Sequence, residues 1–102
     1  MKKNIFIFGS EGVIGSKISS AFEDDFNVHK FDYILGHDFT RNDVLIDIFK
    51  STTCYGLVNL YAINEHVGKD KQAQSYSDFN LEHMKKSFDI NVISLFNVCK
   101  YF

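Results

Sequence analysis

The chain has 102 residues, a net charge of −2, 45% apolar residues and 24% charged residues. That bounds it to one small soluble domain with one modest core. It excludes a basic nucleic-acid surface and a membrane span, since no basic block and no sufficiently long apolar run is present.

The start, MKKNIFIFGS, carries an apolar run far too short for a signal-peptide core, and a glycine follows at once. The expected location is therefore the cytoplasm. Residues 4–8 read as a first strand, almost continuously apolar (Ile5, Phe6, Ile7, Phe8), as a strand buried on both faces of a parallel sheet should be. Gly9 to Gly12 form a turn. A helix follows over 13–23, with Val13, Ile14, Ile18, Ala21 and Phe22 expected on its inner face. Residues 26–31 read as a second strand ended by Asp32, and 33–37 as a short third one. Thr40 is the expected cap of a helix over 41–51, with Asp43 reaching back and Val44, Leu45, Ile48 and Phe49 inward. Residues 56–61 (GLVNLY) form the next strand, and 62–79 a long polar loop.

The last element is a helix from about residue 81 to the end, capped by Asn80. Met84, Phe88, Asn91, Val92, Leu95, Cys99 and Phe102 make one stripe on it, and Ile90, Ile93 and Phe96 a second apolar surface. Strands alternating with helices predict an α/β, Rossmann-type parallel sheet with flanking helices, here a truncated, partial doubly wound fold in one domain over 1–102. The eleven phenylalanines suggest a core built from large rings. Cys54 and Cys99 share no metal-ligand spacing with His29, His37, His66 or His83, so no metal site and two reduced, largely buried thiols are expected.

The chemistry concentrates in the turn. Gly9, Gly12 and Gly15 stand as G-x-x-G-x-x-G between a strand and a helix. The first glycine permits the turn, the second lets a diphosphate approach the backbone, and the third lets helix pack on strand. Helix amides and the helix dipole would then face the anion. The alternative is a close-packed structural turn. Asp32, at the end of the second strand, can accept hydrogen bonds from an adenosine ribose and would repel a 2′-phosphate; taken alone, it is better read as a solvated strand-end aspartate. With Glu11 inside the turn, it favours NAD over NADP. Asn91 lies inside an apolar stripe, where an unpaired amide would cost about 1–3 kcal/mol. A backbone carbonyl, a buried water or a catalytic network must satisfy it.

In order along the chain, Gly9-Ser10-Glu11-Gly12-Val13-Ile14-Gly15, Asp32, Asp38-Phe39-Thr40, Leu57-Val58-Asn59-Leu60-Tyr61-Ala62 and Phe88-Asp89-Ile90-Asn91-Val92 resemble the first part of short-chain dehydrogenases/reductases. The resemblance implies a nicotinamide dinucleotide held by Gly9, Ser10, Gly12, Ile14, Gly15, Asp32, Asp38, Asn59 and Ala62. Asp38 would reach the adenine amino group, and Asn91 would be the catalytic-relay residue. Asn59 to Ala62 stands where the family has N-N-A-G, with Leu60, Tyr61 and Ala62 as departures. The segment between Asp32 and Asp38 is too short for the family's usual helix.

The family's catalytic Y-x-x-x-K is absent: Tyr33, Tyr55, Tyr61 and Tyr76 have His37, Asn59, Glu65 and Asn80 four residues on. An oxidoreductase acting on a hydroxyl or carbonyl is the implied function, with this chain alone inactive. A non-enzymatic nucleotide-binding or protein-interaction module is the alternative, as is a gene fragment. Exposure of the last helix and of the sheet edge would suit a homo-oligomer or a partner chain.

Overall fold

The computed structural model describes residues 1–63 and 80–102. Three parallel strands form a sheet in the order β2-β1-β3. The central strand, β1 (Lys3–Phe8), pairs along its whole length with β2 (Phe26–Phe31) and through Ile5 to Phe8 with β3 (Gly56–Asn59). Successive side chains of a strand point to opposite faces. Phe6 and Phe8 therefore face one layer, where they pack with Phe39, Leu45, Ile48 and Val98 into the core. Ile5 and Ile7 are buried on the other side.

Rings dominate that core, as the composition suggested. Phe8 stands edge-on to Phe39 at 4.9 Å, Phe6 meets Phe31 at 5.2 Å and Phe49 at 5.5 Å. Each such pair adds about 0.5–1.5 kcal/mol beyond area burial.

Helix α1 (Val13–Phe22) packs on β1 and β2, but not through the face the apolar spacing predicted. Val13, Ile14 and Ala21 are exposed; Gly15 and Ser19 are buried, with Ile18 and Phe22 partly so. The close approach of Gly15 to the Gly9 carbonyl decides this, because the helix must present its smallest residues there.

The expected third strand at 33–37 is instead a 3-10 turn, Tyr33–Leu35. Asp32 Oδ1 accepts the Ile34 amide, and Gly36 closes the turn at φ 95°. So few residues cannot make both a strand and its crossover, and β2 remains at the sheet edge.

Helix α2 (Asn42–Ser51) starts one residue later than expected and lacks a side-chain cap. Thr40 does not cap it. Its amide and hydroxyl both donate to Asp38 Oδ1, while Asp43 is taken by the Arg41 guanidinium at 2.7 Å. That pair lowers the Asp43 pKa and raises that of Arg41.

Strand β3 ends at Asn59, two residues short of the predicted end. Most of the predicted polar loop lies outside the described residues, as do Asn64, His66, Lys69 and Gln72.

The last helix is interrupted. Helix α3 (Leu81–Phe88) runs into a π-turn (Asp89–Ile93) and then α4 (Ser94–Tyr101). Asn80 caps α3 as expected, its Oδ1 accepting from the Glu82 and His83 amides. The π-turn breaks the 3.6-residue period, and the predicted stripe fails. Ser87, Ser94 and Val98 are buried, whereas Met84, Phe88, Val92, Cys99 and Phe102 are exposed. The expectation of two largely buried thiols fails with it: Cys99 is exposed, and Cys54 is half-buried, its pKa raised by burial. Among the described residues no helix is long and apolar enough to cross a membrane, and no acidic, histidine or cysteine cluster could hold a metal.

Candidate nucleotide site at the strand ends

The C-terminal ends of the parallel strands open onto a cavity of about 470 Å³. Open α/β sheets bind ligands at this location, and the volume lies within the usual range for a small-molecule site. Gly9, Gly12, Asp32, Asp38 and Ala62, all assigned to a cofactor from the sequence, lie on its wall. Ser10 and Gly15 are buried beneath the turn, while the Ile14 side chain is exposed. Asn59 ends β3 half-buried, with Oδ1 buried and unpartnered; Ser10 Oγ is in the same condition.

The glycines have separate reasons. Gly9 takes φ +88°, and a Cβ there would lie 2.7 Å from the Leu60 carbonyl carbon and the Tyr61 nitrogen. A Cβ on Gly15 would lie 1.9 Å from the Gly9 carbonyl oxygen. Both are demanded by the fold. At Gly12 a Cβ would meet only that oxygen, at an ordinary 3.6 Å, and φ is −74°. Nothing among the described residues requires glycine at this cavity-lining position.

The turn's first amides are already committed. Gly9 and Ser10 donate to the Phe31 carbonyl, and Glu11 donates to Asp32 Oδ2 at 3.0 Å. The Asp32 carboxylate therefore ties the glycine turn to the 3-10 turn, accepting one backbone N–H on each oxygen. The amides at the start of α1, Val13 to Gly15, have no intrahelical acceptor, and no side chain caps them. They, rather than the amides of the loop, are the donors available to an anion.

The opposite wall was less legible in the sequence. Phe39, Thr40, Leu60, Tyr61, Ile63 and Ser94 line it. Tyr61 stacks obliquely on Phe39 at 4.7 Å, and its hydroxyl lies 2.6 Å from Ser94 Oγ. Burial raises the Tyr61 pKa, and the contacts with Ser94 and Asn59 partly counter it. Ser94 is drawn in by the π-turn. Its amide bonds five residues back, to Asp89, so the Ile90 carbonyl loses its ordinary α-helical donor. The Ser94 hydroxyl supplies a replacement at 2.6 Å. A serine four residues after Ile90, beside the apolar Ile93, Leu95 and Phe96, was the signal available in advance.

Asn91 does not line the cavity. Its Oδ1 accepts from the Ile63 amide at 2.8 Å and its Nδ2 donates to the Ile63 carbonyl at 2.9 Å. Of the three ways to satisfy it, backbone pairing is the one observed.

No protein-family model and no curated protein matches the sequence. Solved structures do match. A small-chain dehydrogenase superposes with a TM-score of 0.83 at 16% identity, over 99% of this chain and 50% of its own length. Another, in complex with NADPH, gives 0.80 at 18% identity, over 99% of this chain and 44% of its own. The dTDP-4-dehydrorhamnose reductase of Bacillus anthracis str. Ames, in complex with NADP, gives 0.73 at 17% identity, over 96% and 31%. The chain thus spans half or less of the length of these structures, and its fold is similar to that of part of each of them.

Proposed function

We propose that this chain binds a nicotinamide dinucleotide and is the cofactor-holding part of an oxidoreductase acting on a hydroxyl or carbonyl carbon. The observation that carries the reading is Gly12. The described residues give it no steric reason to be glycine, yet it lines the cavity and heads a helix whose first amides lack acceptors. A diphosphate pressed against the turn supplies both reasons.

In this reading the Val13, Ile14 and Gly15 amides hold the diphosphate, so Ile14 contributes its backbone and not its exposed side chain. Gly9, Ser10 and Gly15 shape the turn. Asp32 keeps lone pairs for a ribose hydroxyl beside the two amides it already accepts. Asp38 spends Oδ1 on Thr40, which leaves Oδ2 for the adenine amino group. Asn59 and Ala62 bound the base end, and Asn91 holds Ile63 against the helix. When bound, the nicotinamide supplies the hydride chemistry. The carboxylates of Asp32 and Glu11 at the ribose end favour NAD over NADP, although two of the matching structures are complexes with NADPH and NADP.

Calorimetric titration with NAD and NADP tests the proposal. Saturable binding, tighter for NAD, is expected. No heat at millimolar NAD would overturn it; equal or tighter NADP binding would overturn the preference alone. With no Y-x-x-x-K among its 102 residues, the chain by itself should oxidise no alcohol.

One observation favours an interaction module as the second reading. Phe88, Val92, Ile93 and Phe96 are exposed on consecutive turns of the last helix, and Phe96 is 77% exposed. Such a surface suits a homo-oligomer or partner chain. A sharp monomer on sizing would count against it.

A further inference from the structure

Asp32 stands one residue beyond the parallel ladder, which ends where Phe31 pairs with Phe8. Its amide therefore takes an acceptor outside the ladder, His37 Nδ1 at 3.1 Å. The same nitrogen lies 3.2 Å from the Asp32 carbonyl oxygen, so two roles compete for it. Counting donors and lone pairs decides between them. The Asp32 carbonyl already accepts from the Leu35 amide at 3.0 Å and from the His37 amide at 3.1 Å, which fills its two lone pairs. A proton on Nδ1 would bring a third donor to that oxygen and would set two N–H groups against each other at 3.1 Å. Nδ1 is thus the acceptor, and the ring carries its proton on Nε2.

The neighbours fix the imidazole in that role. It is half-buried, edge-on to Phe31 at 5.2 Å and parallel to Phe39 at 6.4 Å. Gly36, at φ 95°, turns the chain back so that residues 33–36 alone separate Asp32 from His37. The link grips Asp32 by its amide and its carbonyl, while the two carboxylate oxygens accept the Ile34 and Glu11 amides. Among the described residues, every partner of Asp32 but one is a backbone amide, which any sequence could provide. The exception is His37 Nδ1.

We infer that His37 is a positioning residue for the nucleotide site: through Nδ1 it fixes the backbone of Asp32, and so the direction in which the Asp32 carboxylate meets the glycine turn and the cavity. This rests on the reading of the cavity as a dinucleotide site with Asp32 at the ribose. Where Asp32 stands against a 2′-phosphate, His37 sets how firmly the preference for NAD is held. His37 itself does not line the cavity, and the short link that carries it departs from the family's pattern.

Two measurements test this role. The first is NMR on the 15N-labelled chain at about pH 8, above the usual titration range of histidine. His37 Nδ1 should show the shift of an unprotonated ring nitrogen and a scalar coupling, across the hydrogen bond, to the Asp32 amide nitrogen. A proton on Nδ1 would overturn the inference with no variant or ligand involved. The second is calorimetric titration of the wild type, His37→Phe and His37→Asn with NAD and NADP. Phenylalanine keeps a ring between Phe31 and Phe39 but offers no acceptor, so the preference for NAD should fall by about threefold or more. Asparagine places Oδ1 where Nδ1 stood, one bond from Cγ. It should hold the preference within about twofold of wild type while losing the ring packing and some thermal stability.

A role confined to packing predicts the opposite order, with phenylalanine retaining the preference and asparagine losing it. That order, or an unchanged preference in both folded variants, would overturn the inference and leave the cofactor reading intact. If His37→Phe fails to fold, His37→Gln, whose oxygen reaches past the Nδ1 position, takes its place. NADP bound as tightly as NAD by the wild type would overturn the preference and this inference with it. Failure of the wild type to bind either dinucleotide would overturn the cofactor reading and the role of His37 in it, whatever the NMR shows.

Discussion

Replacing Gly12 or Gly15 by alanine adds the same methyl group three residues apart, and the two variants should fail in different ways. At Gly15 the new Cβ would sit 1.9 Å from the Gly9 carbonyl oxygen, 2.9 Å from its carbon and 3.0 Å from Ser10 Cα. All three atoms are backbone, so α1 must move outward by about 1 Å or more and unpack from β1. Overpacking of this kind costs about 3 kcal/mol. For a domain of this size that is a fall of about 15 °C in thermal midpoint. At Gly12 the nearest atom is 3.6 Å away and φ is −74°, which alanine adopts freely. The loss of glycine at a helix N-cap costs about 1 kcal/mol or less. Gly12→Ala should therefore melt within about 5 °C of wild type. Yet it should lose about tenfold or more in NAD affinity, because the methyl would stand where the proposed diphosphate site meets the turn. Circular-dichroism melts and NAD titration on both variants make the comparison. Wild-type NAD affinity in folded Gly12→Ala would refute the diphosphate site. A wild-type melt for Gly15→Ala would refute the packing argument.

Asp32→Asn should destabilise the chain by about 1–3 kcal/mol, because one of two accepted backbone amides then faces an NH2 group; urea unfolding reads the loss, and an unchanged midpoint would count against the tie. If Asp32 also repels a 2′-phosphate, the same variant should shift the NAD-to-NADP affinity ratio toward NADP. Asn91→Ala strips both hydrogen bonds from Ile63, at a cost of about 1–3 kcal/mol measured by the same unfolding. Burial raises the Tyr61 pKa, so the folded state holds the phenol proton more tightly than the unfolded chain. The resulting stability is present below the unfolded value of about 10 and is lost as pH rises above it. Tyr61→Phe should flatten the alkaline limb of the stability profile, and an identical limb in the variant would refute that origin.

The alkaline prediction and the Gly12 prediction differ in how much of them was readable beforehand. Gly9, Gly12 and Gly15 between an apolar strand and a helix, with Asp32 after the next strand, are local patterns. Strand β1 and strand β2 are likewise local, because a continuous apolar run marks the first, and spaced apolar residues with a terminating aspartate mark the second. From these the sequence alone determined the α/β class, the turn and the carboxylate at its side. Long-range contacts decided the rest. Which face of α1 turns inward follows from how closely Gly15 meets Gly9 across the turn, which no periodicity encodes. The 33–37 segment became a turn because Asp32 bonds the Ile34 amide, and Thr40 lost its expected cap position to Asp38. The last helix turned Ser87, Ser94 and Val98 inward because a π-turn shifted its register and two polar residues found partners on the segment after β3. Tyr61 and Ser94 are 33 residues apart and meet only when that segment lies against the helix. Local chemistry thus marked where a phosphate could sit, while the cavity wall of Phe39, Tyr61 and Ser94 exists only in the folded chain.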